Sequence, residues 1–276
     1  MSEDMATIDF AGGAIHLDHQ PARAPWAEAA PAILFVHGVG ADTGIWSDWR
    51  GVLGGRFATA ALDLPGHGRS FRPQGPIGWS FDDIVGLVRR AGEATMRAAG
   101  AARVTLIGES VGGTACLAAA AGNPAVGAVA TCSTAHLGGR LENVRPWRER
   151  IAADGLGAWS DDMLEKRFAP GQVDAGRRAW FGAAQRASDP EAILALADLL
   201  VGLDLTPRLP AIACPVLLMH PDASPFIPLE LAVALKRGLP DAELMVLPGT
   251  RHGIACSHGA VCAAAVVDFL GRRGVA

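Results

Sequence analysis

The sequence predicts an α/β protein built on a mostly parallel sheet, interrupted late in the chain by a helical insertion. Short aliphatic runs recur at residues 32–36, 58–62, 104–107, 126–131, 216–219 and 244–247, each followed by turn residues. Runs of that length and composition read as buried strands. Helical patterns lie between several of them, and alternating strands and helices make a parallel sheet. The alternation lapses between about 134 and 210, where helix-like pieces carry Trp147, Trp159, Trp180 and Phe181 and no strand pattern is found.

At the N-terminal end, residues 6–10 and 14–17 flank Gly12-Gly13 and read as an antiparallel hairpin. The clearest helix starts at Ser80, with Asp83 as capping-box partner. It places Phe81, Ile84, Val88 and Ala91 on one stripe and stops near Gly100. These patterns divide the chain into a core of residues 1–133 and 211–276 and a helical cap of residues 134–210. An aromatic-bearing insertion of this kind reads as a lid over a pocket, the plainer alternative being helices that pad the sheet. The segment LTPRLP at 205–210 leads back into the sheet.

Half of the 276 residues are apolar and 19% are charged, which is ample material for one large core. A net charge of -4 supplies no basic patch for nucleic acid or an anionic membrane, so a small-molecule substrate is the expected partner. The acidic start MSEDMATIDFAGG lacks the features of a secretory signal, and no apolar run is long enough to span a bilayer. A cytoplasmic location is expected. The five cysteines show no metal-finger spacing, and an odd count does not complete a disulfide framework. They read as reduced packing residues, with Cys256 notable for its place near a candidate catalytic histidine. No GxGxxG or Walker loop and no His–carboxylate cluster is present, so neither cofactor nor metal is expected. The oligomeric state stays open, a homodimer included.

The chemistry gathers around Gly108-Glu109-Ser110-Val111-Gly112, which fits GxSxG between a predicted strand and a predicted helix. A serine on so sharp a turn needs small residues two before and two after it, and Gly108 and Gly112 meet that need. The helix that follows aims its first amides, beginning with Val111, at an oxyanion formed nearby. A serine hydroxyl needs a base, and His252 follows the last predicted strand, whose loop can return an imidazole to the same sheet edge. His67, His220 and His258 read as structural. A second oxyanion donor is expected at the Val39 amide, in a turn shaped by His37 and Gly38. Trp46 and Trp49 read as core or pocket wall.

VHGVG at 36–40, DLPGHGRS at 63–70, GESVGG at 108–113 and PGTRHG at 248–253 together resemble the α/β-hydrolase family, in the family's order and across most of the chain. The resemblance implies an eight-stranded, mostly parallel sheet with a cap after the sixth strand. It also implies an acid after the seventh strand, in a segment similar to GDxDxxxP. Here that segment reads PDASPFIP at 221–228, and counting back from Pro228 places Ser224 at the acid position. The reading adopted is that Pro221 and Pro225 re-route the loop so that Asp222 reaches His252. The alternatives are an acid after the sixth strand, where Glu142 is the nearest carboxylate, and a Ser110–His252 dyad oriented by Ser224 or water. Glu109, beside the nucleophile, is expected to make a supporting hydrogen bond.

The expected function is a cofactor-free serine hydrolase for a small, largely apolar ester or lactone, with Ser110, His252 and Asp222 as catalytic set. Its rivals are carbon–carbon bond hydrolysis of ring-cleavage products and a hydrolase-like ligand-binding protein.

Overall fold

Period-two alternation on the central strands explains why the sheet is covered on both faces. Ile33 and Phe35 belong to one buried cluster and Leu34 and Val36 to the other, all fully shielded from solvent. In the computed structural model, which describes residues 6–24 and 31–275, eight strands form one sheet. The acidic start of the chain, residues 1–5, lies outside the described residues.

In chain order the elements are β1 (Ala6–Phe10), β2 (Gly13–Gln20), β3 (Ala32–Val36), α1 (Ser47–Leu53), β4 (Ala58–Leu62), α2 (Phe81–Ala99), β5 (Val104–Glu109), α3 (Val111–Ala120) and β6 (Val126–Cys132). There follow α4 (Trp147–Arg167), α5 (Ala175–Ala187), α6 (Pro190–Val201), β7 (Val216–Pro221), α7 (Leu229–Gly238), β8 (Ala242–Leu247), α8 (Ile254–Ser257) and α9 (Gly259–Arg272). The sheet order is β1-β2-β4-β3-β5-β6-β7-β8. The first hairpin joins β4 antiparallel, and every later pairing is parallel. The predicted eight-stranded α/β-hydrolase architecture is therefore present.

Strands run past the apolar stretches that announce them because ladder pairing does not require apolar side chains. His19 and Gln20 extend β2 by pairing with Ala60 and Thr59 of β4. Helix α2 starts and stops where its signals stand. Ser80 and Asp83 form both halves of the capping box, and Gly100 ends the helix in a left-handed conformation at φ 63°.

One layer packs α2, α3 and α7 on the sheet, with α6 lying over α3, and the other packs α1 and α9. Trp46 and Trp49 belong to the second layer as fully buried core, Trp46 stacking on Phe35 at a centroid separation of 4.8 Å. The interval between β6 and β7 holds α4, α5 and α6 and, among the described residues, no ladder strand, only an isolated bridge from Leu137 to Asp204. Trp147 and Trp159 meet edge to face within it, and Phe168 packs on Phe181. No helix among the described residues is long and apolar enough to cross a membrane.

Candidate active site

Ser110 lies between β5 and α3 with φ 53° and ψ -122°, a backbone conformation that costs a non-glycine residue energy unless its surroundings enforce it. They do. Its amide donates to Cys132 O at 2.9 Å and its carbonyl accepts from the Thr114 amide at 3.1 Å. A Cβ on Gly108 would collide with the backbone of Gly113, and one on Gly112 with the carbonyls of Val36 and His37. The two glycines of the motif therefore let the turn sit against its own helix and against β3.

The turn brings Ser110 Oγ to 3.2 Å from His252 Nε2. His252 is held from several sides: Ser133 Oγ donates to its carbonyl at 2.6 Å, and the Phe226 ring meets the imidazole edge to face at 4.8 Å. Burial first, then the nearby charges of Arg167 and His220, lowers its pKa well below the ordinary histidine value. The ring is neutral at pH 7.

Position 224 departs from the adopted sequence reading. The structure does not bring Asp222 to the imidazole. Its Oδ1 accepts from the Thr250 amide at 3.3 Å, and its backbone amide donates to Leu247 O, so Asp222 braces the loop that carries His252 from behind. The group at His252 Nδ1 is Ser224 Oγ, 3.1 Å away. The two prolines leave the loop in the register counted back from Pro228. Glu142 has an exposed side chain with no hydrogen bond to the ring, and its amide donates to Phe226 O. Because an asparagine retains the oxygen that the Thr250 amide uses, Asp222→Asn is expected to leave the rate of covalent labelling at Ser110 within about threefold of wild type. A hundredfold loss would return Asp222 to the catalytic set.

The turn around Val39 is equally built. His37 Nδ1–H donates to Gly38 O at 2.7 Å, while its Nε2 accepts from the Leu64 amide at 2.9 Å. Since a carbonyl only accepts and an amide only donates, the tautomer is assigned by the partners. His67 Nε2 likewise accepts from the Gly40 amide at 3.0 Å, and Nδ1–H donates to Pro65 O at 2.9 Å. Burial pushes the pKa of His37 down to about 4 and that of His67 to about 3. The peptide unit joining Val39 and Gly40 is thus tied at its N–H by His67, and at its carbonyl by Arg167 Nη2 at 2.6 Å. The Val39 N–H, by contrast, has no acceptor among the described residues. Val111 opens α3, and a first-turn amide has no partner within its own helix.

Sequence reasoning did not single out Arg167 or the tie made by His67. Arg167 ends α4 and is buried at 2% exposure. Its Nη1 pairs with Glu109 Oε1 at 3.3 Å, and its guanidinium lies over the Phe181 ring at 5.2 Å. Burial raises the Glu109 pKa, and the Arg167 charge, a hydrogen bond from the Gly38 backbone and that ion pair hold it back. Gly38 carries no side chain for a related reason: a Cβ there would run into the Glu109 carboxylate.

A small cavity of about 20 Å³ opens beside Ser110 and His252. Val39, Trp147, Leu200, Phe226 and Arg167 are among its walls, so apart from the guanidinium its far side is apolar. Among the described residues no three His, Cys, Asp or Glu side chains converge as a metal cluster. Cys256 is buried, and burial pushes its thiol up to about 12, the behaviour of a packing residue.

Known proteins resemble this chain in sequence and in fold. A putative carbamate hydrolase, RutD, of Klebsiella pneumoniae is 28% identical over 244 residues, covering 86% of this chain and 88% of that protein. A pimeloyl-[acyl-carrier protein] methyl ester esterase of Nitrosospira multiformis is 27% identical, with 80% and 88% covered. The solved enol-lactonase of Burkholderia xenovorans LB400 superposes with a TM-score of 0.83 at 22% identity, covering 96% of this chain and all of that one, and so shares the fold. Residues 33–268 match the profile of the alpha/beta hydrolase family, and the chain belongs to that family.

Proposed function

We propose that this chain is a cofactor-free serine hydrolase acting on a small, largely apolar carboxylic ester or lactone. The observation that carries the reading is the 3.2 Å approach of His252 Nε2 to a serine hydroxyl held on a strained turn. Ser110 Oγ attacks the substrate carbonyl while His252 Nε2 takes its proton, and the Val39 and Val111 amides receive the oxyanion. Collapse expels the alcohol, which takes the proton back from His252. The acyl group stays on Ser110 until a water, activated by the same nitrogen, releases it. The cavity walls support this substrate class, since the Arg167 charge is answered by Glu109 and the surface facing away from the serine and histidine is apolar. Relatives that hydrolyse a methyl ester and a carbamate, by their names, work on carbonyl carbons of this type.

The test needs no known substrate. Wild type and Ser110→Ala are exposed to a fluorophosphonate and their intact masses recorded. One adduct on wild type and none on the variant is the expected result. A folded wild type that stays unlabelled under prolonged exposure would overturn the proposal and leave a ligand-binding protein on a hydrolase frame.

A further inference from the structure

A hydroxyl at position 224 differs from a carboxylate in carrying a proton, and the surrounding donors decide where that proton goes. A serine oxygen has two acceptor sites and one hydrogen to give. The amides of Phe226 and Ile227 both point at Ser224 Oγ, at 3.3 and 3.2 Å, and an amide can only donate. Both acceptor sites are therefore occupied. Among the described residues the one remaining partner of the hydroxyl is His252 Nδ1.

We infer that Ser224 donates its hydroxyl proton to His252 Nδ1 and thereby holds the resting imidazole as the Nε2–H tautomer, whose proton is directed at Ser110 Oγ. The opposite arrangement, with Nδ1–H pointing at Ser224, would crowd three donors onto one hydroxyl oxygen. The amides cannot swing aside, because the carbonyls of their loop are anchored. Pro225 O accepts from Asn143 Nδ2 at 2.7 Å, Phe226 O from the Glu142 amide at 2.9 Å, and Ile227 O from His220 Nε2 at 3.1 Å. The ring itself is neutral, so the choice is between two uncharged tautomers.

Ser224 is thus a positioning residue that acts against the reaction. A ring protonated at Nε2 cannot take the Ser110 proton, and turnover by the proposed mechanism waits on the minor tautomer. In Ser–His–acid triads the wrong tautomer lowers the rate by roughly 10⁴-fold. An aspartate at 224 would reverse the preference, since a carboxylate accepts from both amides and from Nδ1–H together.

The tautomer rests on geometry alone, whereas its effect on rate rests on the proposed hydrolase reading, and two readouts separate them. Two-bond ¹H–¹⁵N spectra of the full-length, histidine-labelled protein report the ring directly at pH 7.5, His252 being assigned by the signal lost in His252→Gln. Wild type is expected to show Nε2–H and Ser224→Asp to show Nδ1–H, with fluorophosphonate labelling of Ser110 at least about tenfold faster in the variant. Ser224→Ala, which removes the donor, is expected to lose the pure Nε2–H pattern. A wild-type Nδ1–H pattern, or an Nε2–H pattern unchanged in either variant, would overturn the inference. A tautomer that switches in a protein whose Ser110 is never labelled would uphold it and defeat the hydrolase reading.

Discussion

Arg167→Met is expected to lower the unfolding free energy by about 3–5 kcal/mol, the usual cost of leaving a buried charge without its partner. Glu109 is fully buried at the end of β5, and the guanidinium is the one cation paired with it among the described residues. Methionine keeps much of the apolar contact with Phe181 but supplies neither the charge nor the bond to Val39 O. The second half of the argument is a double variant. Adding Glu109→Gln removes the stranded charge, so Arg167→Met with Glu109→Gln is expected to recover more than half of the loss. Urea unfolding of the wild type, both single variants and the double variant measures the coupling directly. Simple additivity would show that the pair does not act as a pair.

Acidification from pH 7 to pH 5 is expected to cost about 4 kcal/mol of stability through His37 and His67 alone, read from the urea midpoint at each pH. His37 and His67 stay neutral in the folded protein down to about pH 4 and pH 3, because burial disfavours their charged forms. In the unfolded chain they take up protons near pH 6.5. The sign follows: below pH 6.5 the unfolded state binds more protons, and each such histidine removes about 1.4 kcal/mol per pH unit until its folded pKa is reached. His136, His220, His252 and His258 are lowered too and act in the same direction. Asp63 and Glu109 act oppositely, since burial raises their folded pKa values and their uptake of protons favours the folded state. Six histidines stand against two carboxylates, which sets the sign. A flat profile between pH 7 and pH 5 would contradict the buried, neutral assignment of the histidine pair.

The parts of the site legible in the sequence are those whose chemistry is local. Ser110 sits on a turn whose geometry requires glycines at fixed offsets, and His252 follows the last strand of the chain, so short motifs and chain order place both. The Trp46 and Trp49 positions were open between core and pocket because an aromatic side chain serves either use; only packing on Phe35 distinguishes them. Asp222 attracted the acid role as the nearest carboxylate, yet the path of a loop between two prolines depends on the anchors at Asn143, Glu142 and His220, which no local pattern announces. Arg167 was hidden for another reason. Its partner Glu109 lies 58 residues away, and a chain with 24 Lys and Arg offers many candidates. The available signal was Glu109 itself: a carboxylate closing a buried strand demands a cation from somewhere. The tie from His67 to Gly40 was equally out of reach, since it joins two separate turns.

The cavity beside Ser110 also governs how fast anything can bind. At about 20 Å³ it admits little more than a water, so a substrate of the proposed class would meet only the fraction of molecules in which the α4 and α6 walls have parted from Phe226 and Ile227. Its apparent dissociation constant is then the intrinsic one divided by that fraction. At rising ligand concentration the observed association rate levels off at the rate of opening. Substitutions that loosen those walls therefore tighten apparent binding without adding a single contact to the ligand.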